Sequence, residues 1–415
     1  MDKIIQIMKN LYIVDIKEGS SSVYGIGTYI NILEKSFQKT CLNVFFIHLK
    51  FDTQRFFEKV ENGITHWYIP LPKVKYKDKN KQNNLYFHNS AFILRQYIQS
   101  TGNLIFHLNN IEYKSLADAL KAYFDCKIIL AVHYFPWCFE TFGNISLFRK
   151  ILSKPEVELD QLGNRVKKMF TMEKEMLNSV EKVLCLSKHT YGILQKIYRV
   201  KKQRISIIYN GLADNYSIPN KQMLKQKYHI PDIPVIIFAG RLDDMKGLKY
   251  ALQAFKLILK TLPCHFLIAG NGEFDTYMKE CEDIWIHVTW TGLICKEKLY
   301  ELYSIADIGI MPSFYEQCSF VAIEMMMHCL PLIVCASAGL SEMVENEIMG
   351  LQIPVIEFDD KMKIDTSLLA EKILYLLTNP SERQRMGQNA RKHYENQYTQ
   401  DIFQKNILNF YQSLF

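Results

Sequence analysis

Two α/β domains, each a doubly wound parallel sheet, are predicted by three observations on this 415-residue sequence. Short apolar runs of strand length alternate with helical patterns, the layout of the first half is repeated in the second, and the length exceeds what one ordinary core holds. Strands covered on both faces read as near-continuous apolar runs, and their alternation with helices points to parallel pairing.

The composition, 48% hydrophobic and 22% charged, is that of a folded globular chain and excludes a disordered one. Residues 1–12 alternate Lys and Asn with Ile and Leu, giving neither the apolar core of a signal peptide nor a span of about 18 apolar residues. The expected location is therefore cytoplasmic. Ten cysteines without a C-x-x-C pair read as reduced core residues, and the eleven histidines never pair at ligand spacing, so no metal site is expected. The net charge of +7 is uneven: residues 1–213 hold 31 Lys and Arg against 18 Asp and Glu, a balance of +13, which leaves −6 for residues 214–415. A basic half suits an anionic membrane surface, a pyrophosphate-bearing acceptor or nucleic acid, and equally a solvated face that serves solubility.

In the first half, strands are expected at 4–8, 43–49, 64–69, 103–108, 127–132 and 183–186, with helices such as 26–37 and 116–124 between them. The run SSSVYGIGT at 20–28 follows the first strand, and Gly25 and Gly27 in it would let a phosphate approach backbone N–H groups. His133 follows the apolar run 127–132 directly, which points it into the crevice above a parallel sheet. Lys73, Lys75, Lys77, Lys79 and Lys81 alternate through a stretch too polar for a core strand and read as a flexible surface loop. A basic cluster at 199–204 leads to a strand at 205–208 and the turn Asn210-Gly211, and the polar stretch that follows, through Pro219 and Asn220, reads as the interdomain linker.

The second half opens with a strand at 234–239 that ends in GRLDDMKG at 240–247, before a helix at 248–259. Arg241 offers a planar fork of donors and Lys246 a point charge, a pair able to neutralise a diphosphate without a metal. A strand at 265–269 ends at Gly270, and the run 285–290 leads to Thr291, Gly292 and Leu293. The strand 307–311 then runs into PSFYEQCSFVAIE at 312–324, where a loop at a strand's C-terminal end meets a helix. Glu316 falls in that loop and Glu324 on the second helical turn, while Ser319, Phe320 and Val321 present N–H groups suited to an anion. Two carboxylates around an anion cradle fit a ligand with hydroxyls on both sides of a phosphate, such as a nucleotide sugar. Each segment alone also reads as a capped helix start with surface charges, and their joint occurrence favours the site.

The E-x7-E spacing of Glu316 and Glu324, with G-R-x4-K-G at 240–247, resembles the retaining GT-B glycosyltransferases of family 4, the bacterial group 1 kind. The resemblance is close over the second half and loose over the first. It implies two Rossmann-like domains facing a central cleft: residues 1–213 on the acceptor side, with a C-terminal helix of about 398–415 packing back on them, and residues 214–397 for the nucleotide sugar. It implies that His133 and Glu316 act on the donor sugar, that Arg241, Lys246, Ser319, Phe320, Val321, Gly25 and Gly27 meet the diphosphate, and that Glu324, Leu293 and Gly270 meet the ribose and base. The activity implied is retaining, metal-independent and cofactor-free transfer of a sugar from a nucleoside-diphosphate donor, UDP ahead of GDP. The acceptor would be a glycan, a lipid-linked saccharide or a peptide rather than nucleic acid, with the inner face of the membrane as a candidate place of peripheral attachment. A nucleotide-sugar epimerase of the same fold and a catalytically silent binding protein are the rival readings. Three departures from the family pattern stand out: Tyr134 where relatives carry Asp, Cys318-Ser319 where Phe-Gly is usual, and Leu330 where Gly is usual.

Overall fold

The computed structural model describes residues 10–16, 25–38, 42–73, 78–99, 102–217, 220–358 and 362–414. They form two compact units: within Met1–Pro136, Asp160–Ile208 and Gln404–Phe415 the described residues make one, and within Trp137–Leu159 and Tyr209–Phe403 they make the other.

The first unit is built on an eight-stranded sheet: β1 (Asn10–Ile16), β2 (Asn43–Phe51), β3 (Phe57–Glu61), β4 (Ile64–Pro70), β5 (Leu104–Leu108), β6 (Cys126–Val132), β7 (Lys182–Cys185) and β8 (Ile205–Ile207). Their spatial order is β3-β4-β2-β1-β5-β6-β7-β8. Every pair is parallel except β3 with β4, a hairpin turning at Asn62 and Gly63. Those two residues have φ of 50° and 78°, the conformation that a two-residue primed turn requires and that Asn-Gly tolerates best. Central β1 and β5 are buried along their whole length, whereas edge strand β3 exposes Glu58 and Lys59, charges that discourage pairing with another chain. The chain's final residues close this core: Tyr411 Oη donates to His107 Nδ1 at 2.6 Å, and Gln404 Nε2 donates to Ser36 O at 2.9 Å.

The second unit carries six parallel strands, β9 (Val235–Ala239), β10 (His265–Ala269), β11 (Val288–Gly292), β12 (Ile308–Met311), β13 (Leu332–Cys335) and β14 (Gly350–Ile353). Their order is β11-β10-β9-β12-β13-β14, so the direction of winding reverses between β9 and β12. In an open α/β sheet such a switch point leaves a crevice outside the carboxyl ends of the strands. The all-apolar strands VIIFA and HFLIA are fully buried, and the helices Leu248–Leu259 and Thr366–Thr378 pack on the sheet through Leu252, Phe255, Ile373 and Leu376.

Several expectations are amended. The strand expected at 4–8 lies outside the described residues, and β1 instead uses NLYIVDI, whose Asn and Asp mask its apolar run. Lys79 and Lys81 belong to a helix, Lys79–Tyr97, rather than to a flexible loop, because Tyr86, Phe87, Ala91 and Leu94 supply a buried stripe further along; residues 74–77 lie outside the description. In the stretch expected to be the linker, Leu212 is buried and its N donates to Tyr398 O at 2.9 Å, while Ala213, Asp214 and Asn215 are exposed. Residues 137–159, expected in the first domain, group with the second unit. There Trp137 stacks on Phe148 at 3.8 Å, Phe142 meets Phe314 edge-on, and Asn144 Nδ2 donates to Phe358 O at 3.1 Å. Among the described residues no helix is long and apolar enough to cross a membrane.

Candidate functional site

Within the second unit, the loops leaving β9 and β12 meet at the switch point. Asp243 caps the turn Asp244–Lys246 by accepting from Lys246 N at 3.1 Å, and Gly247 follows with φ of 68°. A Cβ on Gly247 would run into Pro312 O, so both its left-handed backbone and the closeness of the β12 loop call for glycine. Phe314 N donates to Met245 O at 2.9 Å, which ties the loops together backbone to backbone. Their side chains meet as well: Lys246 Nζ is paired with Glu316 Oε1. Both members are mostly buried, with 20% and 14% of their side-chain surface exposed, so the pair is screened less than a surface ion pair. Arg241 lies on the same loop, its Nη2 3.1 Å from Asp243 Oδ2. One acid-base pair and one guanidinium thus line the crevice end of β9.

The β12 loop is held from below. Gly339 N donates to Glu316 O at 2.7 Å, and a Cβ at Gly339 would collide with Gln317 O. Ser337 Oγ donates to Ser313 O at 2.9 Å, and Asn210 Nδ2 donates to Cys318 O at 2.7 Å. Burial pushes the Cys318 thiol up to about 12, and its sulfur accepts from Asn210 N, so it serves as packing rather than as a nucleophile.

The helix Phe320–Met327 starts as the motif requires, with Ser319 as its cap, the hydroxyl accepting from Ala322 N at 3.5 Å. Ser319's own N–H is directed at Met343 Sδ, 3.3 Å away, which leaves Phe320 and Val321 as the two amides at the helix start that donate to none of the described residues. Two donors rather than the expected three are therefore available to an anion. Glu324, one turn further, is completely buried. Its Oε1 is paired with Lys296 Nζ and its Oε2 accepts from Tyr303 Oη at 3.1 Å.

Gly270 and Leu293 sit at the ends of β10 and β11. Gly270 has φ of 152°, donates to Gly292 O at 3.0 Å, and would strike Gly240 O if it carried a Cβ. Close packing of strand ends thus explains this glycine on its own. Leu293 is 57% exposed.

His133, Gly25 and Gly27 belong to the first unit. Gly25 and Gly27 fall inside the helix Gly25–Phe37: Gly25 opens it with no described residue within 4 Å of its Cβ position, while Gly27 is buried in it. Residues 17–24, the remainder of that loop, lie outside the description. His133 stands at the end of β6 with Nε2 3.0 Å from Asn109 Oδ1, and its ring meets Tyr29 edge-on at 4.6 Å. Since Asn109 Nδ2 donates to Val14 O, its Oδ1 is the acceptor, so His133 Nε2 carries the proton and Nδ1 keeps a lone pair. Burial, and His107 nearby, pull His133 down to about 3, which keeps it neutral.

Three contributors went unread in the sequence: Lys296, Tyr303 and Asn109. Lys296 and Tyr303 are seven residues apart on the helix Lys296–Ile305, two turns on one face, a spacing that was readable but is common on any helix. Asn109 ends β5 as His133 ends β6, and that strand-end position was its signal.

Residues 220–393 match the family model described as Glycosyl transferases group 1. An uncharacterized glycosyltransferase of Methanocaldococcus jannaschii is 27% identical over 248 residues, which cover 57% of this chain and 62%, less than two thirds, of that protein. The sucrose-phosphate synthase of Thermosynechococcus elongatus superposes with a TM-score of 0.76 at 18% identity, over 98% of this chain and 99% of that one. Anabaena HepE, solved in complex with UDP, superposes with a TM-score of 0.70 at 14% identity, over 98% and 100%. The chain has the GT-B fold, two Rossmann-like parallel-sheet domains. The segment that matches the group 1 model lies in the second unit, and residues 240–324 with their Arg, Lys and two Glu lie inside it.

Proposed function

We propose that the chain transfers a sugar from a nucleoside-diphosphate sugar to a glycan, lipid-linked or peptide acceptor, with retention at the anomeric carbon and without a metal ion. The observation that carries this reading is the joining of the β9 and β12 loops at the switch point through the Lys246–Glu316 pair, the first loop also carrying Arg241 and the second running into the Phe320 and Val321 amides. Cations and amides at that place favour a diphosphate, and they stabilise it most as it leaves with the charge of the broken glycosidic bond. Glu316 is assigned to hydroxyls of the donor sugar and Glu324 to the ribose. A neutral His133 suits a sugar hydroxyl, which its Nδ1 can accept. UDP is assigned as the nucleotide ahead of GDP, in keeping with the HepE complex. No side chain is assigned as a covalent nucleophile. Arg241 and Lys246 take the charge-neutralising part that a divalent ion would otherwise take.

The acceptor is assigned by class only. The basic excess of residues 1–213 suits a pyrophosphate-bearing lipid or an anionic membrane face, which salt would weaken.

The test is incubation of the protein with radiolabelled UDP-sugars and GDP-sugars in the absence of acceptor, with EDTA present. Slow release of free sugar from at least one UDP-sugar is expected. Activity that vanishes in EDTA and returns with manganese removes the metal-free assignment, and failure to bind or hydrolyse any donor removes the reading.

A further inference from the structure

Glu324 is completely buried, as is Tyr303, which donates to its Oε2, whereas the Lys296 side chain paired with Oε1 is 49% exposed. Of these three, Lys296 is the member that reaches solvent, and it stands at the first turn of the helix that follows β11. A carboxylate taken fully out of water needs a partner for each oxygen, and a rigid hydroxyl and a mobile ammonium fill the two places here. Each oxygen keeps a further lone pair, the one with which it would accept from a ribose hydroxyl.

We propose that Lys296 is a positioning residue for nucleotide binding: it holds Glu324 in place, with Tyr303 fixing the opposite oxygen. The assignment rests on Glu324 being the ribose ligand, as in the proposed function, and names a residue outside both sequence motifs. Lys296 acts through Glu324, so its effect falls on binding of the nucleoside part and not on the bond-breaking step. Lys296 also contacts the site from solvent and can be replaced without opening a core cavity, whereas Tyr303 is buried and its truncation would disturb packing.

The experiment is calorimetric titration of UDP into the full-length protein and into Lys296→Met, Lys296→Arg, Glu324→Gln and the Lys296→Met/Glu324→Gln double variant, with steady-state kinetics on the donor that the hydrolysis assay identifies. Lys296→Met is expected to weaken UDP about tenfold and to raise the donor KM by a similar factor while kcat stays within about twofold, the size expected for loss of one charge-assisted contact. Lys296→Arg should recover most of that loss. In the Glu324→Gln background, Lys296→Met should add little, because the two residues form one unit. Equal UDP affinity in Lys296→Met and the unaltered protein overturns the assignment, and so does a full tenfold further loss in the double variant. Absence of UDP binding by the unaltered protein is a different result, which removes the donor-site reading itself.

Discussion

Lys246 and Glu316, 70 residues apart in the chain, pair across the switch point of the second sheet. In the proposed enzyme this cation and this carboxylate attend to different parts of one ligand, the diphosphate and the sugar. Their pairing orders both side chains before the ligand arrives, which lowers the entropy lost on binding.

The diphosphate assignment predicts that Arg241→Ala and Lys246→Ala each weaken nucleoside-diphosphate binding by about 2–4 kcal/mol. Turnover should fall further, because the same charges stabilise the leaving group. Isothermal titration together with single-turnover donor cleavage measures the two losses separately, and a loss in binding with no loss in turnover would place these residues outside the chemistry.

Gly247 and Gly25 make opposite predictions about stability. Gly247→Ala forces a side chain into left-handed backbone against Pro312 O and should cost about 1–3 kcal/mol or more. Urea midpoints would report it, and weaker nucleotide binding should accompany it because the two loops part. Gly25→Ala meets no described residue with its Cβ and should leave the urea midpoint unchanged, so a drop in its donor turnover would report on the phosphate role implied for that position.

Buried histidines set an acid limit on stability. The ordinary histidine pKa is about 6.5. Burial holds His107 down at about 4, and His66, His133 and His265 are lowered to about 4, 3 and 4 in the same way. Between pH 6.5 and those values the unfolded chain binds more protons than the folded one, so stability is full above about pH 6.5 and falls as the pH drops. Urea midpoints measured from pH 7.5 to 5 should decline steadily. His107→Asn, although less stable throughout for loss of the Tyr411 hydrogen bond, should show a shallower decline, and an unchanged slope would mean that His107 does not contribute.

The second unit was the more legible of the two, for a physical reason. Its strands VIIFA, HFLIA and LIVC are covered on both faces and so read as continuous apolar runs, and the loops that follow carry Arg, Lys and Glu because the crevice is polar. In the first unit, β1 carries Asn10 and Asp15, each satisfied by a partner on β2, Asn43 and His48, and such polar pairs hide a buried strand from a pattern search. The segment Trp137–Leu159 could not be assigned from sequence because its place depends on long-range contacts to Phe314 and Phe358. Glu316 and Glu324 were visible through their spacing, whereas the pairing of Glu324 with Lys296 and Tyr303 joins positions more than 20 residues apart. The capping role of Ser319 was readable, but the turning of its amide toward Met343 was not, since that follows from the 339–343 turn packing beneath the loop.

The central claim is that the β9 and β12 loops bind a nucleotide sugar, with Glu324 on the ribose and Glu316 on the sugar. Calorimetric titration of Glu324→Ala and Glu316→Ala with UDP and with the intact donor tests it most directly. Loss of a charge-assisted hydrogen bond costs about 1.5–3 kcal/mol, so Glu324→Ala should weaken UDP and donor alike by roughly ten- to a hundredfold. Glu316→Ala should leave UDP binding nearly unchanged while lowering turnover or sugar discrimination. Weakening of bare UDP by Glu316→Ala to the same extent as by Glu324→Ala would contradict the account.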